Sequence, residues 1–179
     1  MKTHARLILF AFIASAAFSV LAVTPSRADE LSSEQKDRIS ANCVSIKASL
    51  NQLHASDALL RVNRGQFYES VGTRLMGNFN ARLSNNGFDI KGMVAIADNY
   101  KSSLAEFRSD YQTYERQLAV TLRIDCTTEQ SAFHDSLVNA RAKRATVHTD
   151  VTRLNRYIED YRSAVDNFML NYERVTGSN

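Results

Sequence analysis

Hydrophobic side chains recur along the last third of the chain at alternating steps of three and four residues. This heptad spacing is typical of a long helix that packs against other helices. Arg144 is the one charged side chain that takes a place in the series. The apolar positions are Phe133, Leu137, Ala140, Val147, Val151, Leu154, Ile158, Tyr161, Val165, Phe168, Tyr172 and Val175. The pattern therefore predicts a helix from residue 133 to residue 175 with a narrow buried stripe.

The same rhythm predicts two earlier helices, the first over residues 33–83 and the second beginning after Asp89. The first stripe contains Ile39, Cys43, Ile46, Leu50, Leu53, Leu60, Phe67 and Val71, followed by Leu75 and Phe79. The second stripe contains Met93, Ala97, Tyr100, Leu104, Phe107, Tyr111, Tyr114 and Leu118. Residues 84–89 and 125–128 are rich in turn formers and separate the three segments.

Two features of the first segment bear on whether it is one helix. Gly65 allows a break near residues 63–65, but the apolar phase continues across it, which favours a continuous helix. After Val71 the spacing changes to successive steps of four, at Leu75 and Phe79. Such a stutter locally unwinds a supercoil. We therefore expect one helix with an irregularity near its end.

Three consecutive helical patterns and the near absence of helix breakers predict an all-α protein. Residues 29–179 contain no proline, since the single proline of the chain is Pro25. Short connections between long helices favour antiparallel neighbours. The sequence thus predicts an elongated up-down-up three-helix bundle with coiled-coil-like seams, formed as one domain by residues 29–179.

Residues 1–28 have the layout of an export signal rather than of a fold element. Basic Lys2 and Arg6 precede an uncharged apolar run over residues 7–23, and small residues end the segment. We expect cleavage between Ala28 and Asp29. The alternative is an uncleaved membrane anchor, because about 17 apolar residues is the lower limit of a span. Either way the sequence predicts an exported protein, in the cell envelope or secreted.

Removing this segment changes the charge. The full chain has 22 Lys+Arg and 19 Asp+Glu, and residues 1–28 hold three of the basic residues and no acid, which leaves 22 − 3 = 19 basic against 19 acidic residues. A neutral chain gives no sign of nucleic acid or an anionic membrane as a partner. We therefore expect a protein partner, and the sequence does not indicate the oligomeric state.

Two cysteines in an exported chain favour a disulfide. Counting residues back through the first turn places Cys126 within about 7 Å, along the bundle axis, of the level of Cys43. A Cys43–Cys126 bridge is therefore geometrically plausible. The alternative is two reduced, buried thiols.

The sequence contains no arrangement that points to catalysis, a metal or a cofactor. His54, His134 and His148 lack the short spacings of zinc or di-iron ligands, and no serine lies in a nucleophile elbow. We therefore predict a protein without catalytic, metal or cofactor-binding residues.

Charged residues that interrupt the apolar stripes fall at similar heights in the predicted bundle. Counting residues up from the two cysteines, and reflecting Arg61 through the first turn to a point near Tyr114 and Glu115, gives the set Asp57, Arg61, Arg64, Glu115 and Arg144. We expect them to meet in one polar layer across the core. As a structural feature, the layer would fix the register of the helices. As a functional site, it would bind an anion or a partner, because arginines outnumber acids. The structural interpretation is favoured, since paired arginines inside a bundle have no open mouth.

The two most distinctive stretches are RVNRGQFYESVGTRLMGNFNARL, over residues 61–83, and RLNRYIEDYRSAVDNF, over residues 153–168. Together with the export signal and the two cysteines, they resemble small exported helical proteins of ultrasmall candidate-phylum bacteria. The resemblance carries no catalytic motif and implies no functional residue.

These observations favour a non-enzymatic exported helical bundle that acts through protein–protein contacts, as a scaffold, spacer or binding module. The first alternative is a chaperone-like protein that holds client chains outside the cytoplasm. A metal-binding or enzymatic bundle is the weaker alternative, because ligands and nucleophiles are missing from the pattern.

Overall fold

All regular structure in the described part of the chain is helical. The structure is a computed structural model that describes residues 30–177, and no strand occurs among them. The elements are α1 (Ser33–Ala41), α2 (Cys43–Ser70), a π-helical segment (Val71–Gly77), α3 (Asn78–Asn85), α4 (Lys91–Arg123) and α5 (Gln130–Thr176). The predicted all-α class is confirmed. The predicted export signal, residues 1–28, and its cleavage site lie outside the described residues.

The first predicted helix passes through Gly65 without a break, as expected, but it is interrupted at Asn42. It begins with a capping box, in which Ser32 and Gln35 exchange hydrogen bonds of 2.8 and 3.2 Å. The Asn42 side chain then donates to the carbonyl of Arg38 at 2.8 Å. An asparagine that bonds its own backbone in this way competes with regular helix. The first predicted helix is therefore divided at Asn42 into α1, which ends at Ala41, and α2, which begins at Cys43.

The stutter in the sequence coincides with the π-helical segment, Val71–Gly77. A π turn holds more residues than an α turn, so it changes which side chains face the core. Met76 is 1% exposed, whereas Leu75 is 61% exposed. Leu75 was expected in the core, and that prediction is wrong because the π segment rotates it outward.

Helix α4 supplies the centre of the core. All eight of its predicted core positions, from Met93 to Leu118, are buried. It packs along α5 in the opposite direction: Gln117 bonds Ser136 at 3.0 Å, and Glu106, earlier in α4, pairs with Arg153, later in α5. The best-predicted stripe therefore belongs to the helix with the most packing partners.

The first arm, residues 33–85, is fixed to α4 and α5 at its two ends. Near its start, Cys43 and Cys126 form the predicted disulfide, with sulfur atoms 1.96 Å apart, beside buried Phe133. Near its end, the Asn80 side chain accepts from the Tyr161 hydroxyl at 2.6 Å. Disulfides are typical of extracytoplasmic compartments, so the bridge is consistent with export.

Between these ends, α2 contacts α4 but has few contacts with α5. Leu60 and Phe67 were predicted in the buried stripe, yet they are 48% and 56% exposed. Leu60 lines the open space between α2 and α5, whereas at Phe67 the neighbouring Tyr68, 1% exposed, takes the buried position. Tyr172 and Val175, predicted core positions at the end of α5, are exposed as well. No helix among residues 30–177 has the length and apolar character needed to cross a membrane.

One buried acid lies between α4 and α5. Asp150 is 1% exposed, and its Oδ1 accepts from Arg153 at 3.1 Å. Burial, together with the neighbouring carboxylates of Asp110 and Glu106, raises the pKa of Asp150 to about 6. The positive charge of Arg153 lowers this pKa, but its effect is smaller. The folded state therefore binds a proton that the unfolded chain, with an ordinary pKa of 3.8, releases. Ionisation of Asp150 at neutral pH lowers stability.

We expect Asp150→Asn to raise the free energy of unfolding at pH 7 by about 1–3 kcal/mol. The gain should shrink as the pH falls through about 6 and vanish near pH 4, because the wild-type carboxyl is then protonated in both states. Urea unfolding at pH 4, 5.5 and 7 measures this, with exposed Asp37→Asn as the matched control. A D150N protein that is less stable than wild type at pH 7 would show that the carboxylate contributes stability.

Candidate functional site

A groove opens where α2 separates from α5. It encloses about 300 Å³, has α4 as its floor, and is bounded by α2 on one side and α5 on the other. Its lining residues are Asp57, Leu60, Arg61, Arg64, Phe107, Tyr111, Tyr114, Arg144, Val147, His148 and Val151. The lining combines a cluster of arginines with an apolar and aromatic surface, which is the usual composition of a ligand site.

A polar bridge crosses the groove from α2 to α5. Arg144 donates to both carboxylate oxygens of Asp57, from Nε to Oδ2 at 2.8 Å and from Nη2 to Oδ1 at 3.0 Å. The Tyr114 hydroxyl donates to Oδ2 at 2.7 Å. Burial alone would raise the pKa of Asp57, but the hydrogen bonds from Arg144 and Tyr114 outweigh it and lower the pKa. Asp57 is therefore an ionised carboxylate with both oxygens occupied.

The other two arginines of the groove have no acidic partner. The Arg61 guanidinium lies over the Tyr111 ring, 5.2 Å from its centroid, which is a cation–π geometry. Neither Arg61 nor Arg64 forms a hydrogen bond or ion pair with any residue between 30 and 177. With Arg144 neutralised by Asp57, the groove carries two uncompensated positive charges.

Tyr111 contributes a second unusual feature. Its side chain is 4% exposed, and its hydroxyl has no hydrogen-bond partner within residues 30–177. Burial, followed by the nearby carboxylates of Glu115 and Asp57, raises the pKa of Tyr111, so the hydroxyl keeps its proton. Buried hydroxyls are nearly always hydrogen-bonded in folded proteins. The Tyr111 hydroxyl is therefore a neutral donor that is buried beside the groove and left without a partner among residues 30–177.

The structure brings four of the five predicted polar-layer residues to the groove: Asp57, Arg61, Arg64 and Arg144. Glu115 does not join them and lies 3.9 Å from His54. The layer also differs from expectation in its surroundings, because it borders an open groove and the Arg144 side chain is 50% exposed. The expected absence of an open mouth, which favoured a purely structural layer, does not hold.

Sequence reasoning missed the aromatic part of the site. Tyr111 and Tyr114 were assigned to core packing, yet they line the groove, where the Tyr111 ring lies under Arg61 and the Tyr114 hydroxyl bonds Asp57. One signal pointed to them: counting residues placed Tyr114 and Glu115 at the height of Arg61. His148 and the apolar positions on α5 gave no comparable signal.

The one carboxylate that lines the groove is already engaged in hydrogen bonds. Asp57 cannot act as a free base, because Arg144 and Tyr114 occupy its oxygens. Within residues 30–177, no group of three or more histidine, cysteine or acidic side chains is placed to hold a metal ion. Comparison of the chain with protein-family models, with characterised proteins and with solved structures found no match. The groove's own geometry therefore carries the functional argument.

Proposed function

We propose that this protein is an exported, non-enzymatic helical binding module that contacts a partner protein through the groove. Its body is an antiparallel up-down-up bundle of the first arm, α4 and α5. The disulfide, the packing of α4 against α5 and the leader-like residues 1–28 support this architecture and location.

One observation carries the proposal: two guanidinium groups without acidic partners face an apolar cavity that is open to solvent. Arginine and aromatic side chains are the residues that contribute most often to protein–protein binding energy. A structural layer would have its charges compensated, as those of Asp57 and Arg144 are. The charges of Arg61 and Arg64 have no such compensation, so these side chains can bind a partner.

Site-specific photo-crosslinking in the native host tests the proposal. We place p-benzoylphenylalanine at Leu60, on the rim of the groove, and in a separate variant at Val44, which is 83% exposed on α2 outside the groove lining. We expect a discrete crosslinked protein from position 60, and its loss when Arg61→Gln and Arg64→Gln are added. Equal products from both positions, or none from position 60, would contradict a groove-specific partner.

A chaperone-like function is the second candidate, because the first arm exposes large apolar side chains. Leu59, Phe67 and Leu75 are 63%, 56% and 61% exposed. Such side chains could hold unfolded clients without any charge requirement. Suppression of client aggregation that survives Arg61→Gln/Arg64→Gln but fails in Phe67→Ser/Leu75→Ser would favour this function over the groove.

A further inference from the structure

The charge and donor groups of the groove define the polar end of its ligand. Two guanidinium groups without acidic partners attract an anion, and the planar guanidinium group matches both carboxylate and phosphate geometry. Among the other polar groups of the lining, the Tyr114 hydroxyl already donates to Asp57, the Tyr111 hydroxyl is buried from solvent, and the His148 ring has no hydrogen-bond partner within residues 30–177. Paired guanidinium groups can bind either anion, so the choice between them rests on the rest of the lining. The apolar lining beside the arginines favours a carboxylate that is joined to an apolar group over an inorganic phosphate, which has no apolar part.

The remaining lining defines an apolar end directly beside these donors. Leu60, Phe107, Val147 and Val151 form it, and Leu60 is 48% exposed, so a ligand would remove apolar surface from water. The volume of about 300 Å³ is at the lower end for ligand sites. It suits one aromatic or leucyl group with its carboxylate, rather than an extended segment that passes through.

A peptide chain end meets these requirements together. At a C-terminal residue, the carboxylate and an apolar side chain are attached to the same carbon atom, so both fit one small cavity. An internal acidic residue would place its apolar neighbour on another side of the chain and would need room for chain in two directions. The mouth on the solvent side leaves an exit for the rest of the peptide.

We propose that the groove recognises the C-terminal carboxylate of a partner protein that ends in a large apolar residue. Arg61 and Arg64 bind the carboxylate, and Leu60, Phe107 and Val151 cover the apolar side chain. This inference rests on the proposed function and specifies the partner's chemistry.

Isothermal titration calorimetry on the oxidised protein tests it with acetyl-Ala-Phe and the same peptide as its C-terminal amide. We expect the free carboxylate to bind at least about tenfold more tightly than the amide, since hydrogen bonds to a charged group are lost in the amide. Equal affinity for acid and amide would overturn the proposal.

The matched control for charge is Arg38→Gln/Arg82→Gln, two exposed arginines outside the groove. Arg61→Gln/Arg64→Gln should weaken the acid at least about tenfold, whereas the control, with the same net charge, should bind normally. Equal loss in both variants would indicate a non-specific charge effect and overturn the proposal.

Two further results separate this inference from the proposed function. If 4-phenylbutyrate binds as tightly as the peptide, the site takes small organic acids, and the chain-end proposal is wrong. If no carboxylate binds while position 60 still crosslinks to a groove-dependent partner, the chain-end proposal is wrong and the binding-module proposal stands. If no carboxylate binds and position 60 crosslinks to no groove-dependent partner, the chain-end proposal and the binding-module proposal are both wrong.

Discussion

Reduction of the Cys43–Cys126 disulfide is expected to lower the free energy of unfolding by about 4–5 kcal/mol. The bridge joins residues 83 positions apart, so it removes a large amount of chain entropy from the unfolded state. For a chain of this size the loss corresponds to a fall of roughly 10–20 °C in the melting temperature. Thermal and urea unfolding with and without reductant measure it.

The loss of stability should first affect the start of the first arm. Helix α1 contains no buried residue, and outside the disulfide its tertiary contacts include Ile39 and a 3.3 Å hydrogen bond from Ser40 to the Thr127 carbonyl. Without the bridge, this end should open more often than the rest. We therefore expect amide exchange to accelerate in residues 33–50 before it does so in α4.

The control for this prediction is Cys43→Ala/Cys126→Ala. Alanine is preferred to serine because both cysteines are buried, at 5% and 0% exposure, in an apolar cluster. The double variant should resemble the reduced wild type and should not respond to reductant. An unchanged melting temperature on reduction would show that packing alone holds the first arm.

The fold was predictable where each helix has partners on both sides of its stripe. All eight core positions of α4 follow from periodicity, because side chains from the first arm and α5 cover that stripe. On α2 the same rule failed at Leu60, which α5 does not cover, and at Phe67, whose neighbour Tyr68 takes the buried position. Periodicity shows which face of a helix is apolar, but it does not show whether a neighbouring helix lies close enough to bury that face.

The π-helical segment illustrates a second limit. The stutter at Leu75 and Phe79 indicated an irregularity at the right place. It did not indicate its form, because a π turn is defined by backbone hydrogen bonds rather than by side-chain spacing. Met76 therefore takes the core position that the sequence assigned to Leu75.

The position of the site along the bundle axis could be predicted, but the direction in which each side chain points around its helix could not. Counting residues from the two cysteines brings Asp57, Arg61, Arg64 and Arg144 to one level, because each residue adds a fixed rise. Adjacent residues point about 100° apart around a helix, so a small error selects the wrong neighbour. The count could not show that Tyr114, rather than Glu115, contacts Asp57.

The Asp57–Arg144 bridge is the second feature with a large expected effect. Arg144→Met should lower the free energy of unfolding by about 2–3 kcal/mol, because it leaves a carboxylate that is 8% exposed with only the Tyr114 hydroxyl. Asp57→Ala should cost about 1 kcal/mol, since water can hydrate the half-exposed guanidinium that remains.

A double-mutant cycle separates the bridge from its surroundings. Once Asp57→Ala has removed the carboxylate, adding Arg144→Met should cost little, so we expect a coupling of about 2–3 kcal/mol, close to the full effect of Arg144→Met alone. The pKa of Asp57 is lowered, so the contribution is present above its unfolded value of 3.8 and is lost as the pH falls through the folded pKa. This dependence is opposite in sign to that expected of Asp150. The cycle measured at pH 7 and at pH 3 should therefore show coupling at pH 7 that declines at pH 3.

The matched control is the same substitution at a surface pair, Arg162→Met. Arg162 lies 3.4 Å from Glu159, and both side chains are more than 60% exposed, so we expect a change below about 0.5 kcal/mol. Because α2 has few other contacts with α5, amide exchange in the middle of α2 should also accelerate in Arg144→Met and remain unchanged in the control. If both single substitutions at the bridge leave stability and exchange at wild-type values, the bridge does not hold α2 in place. The position of α2, and with it the width of the groove, would then depend on the contacts of α2 with α4.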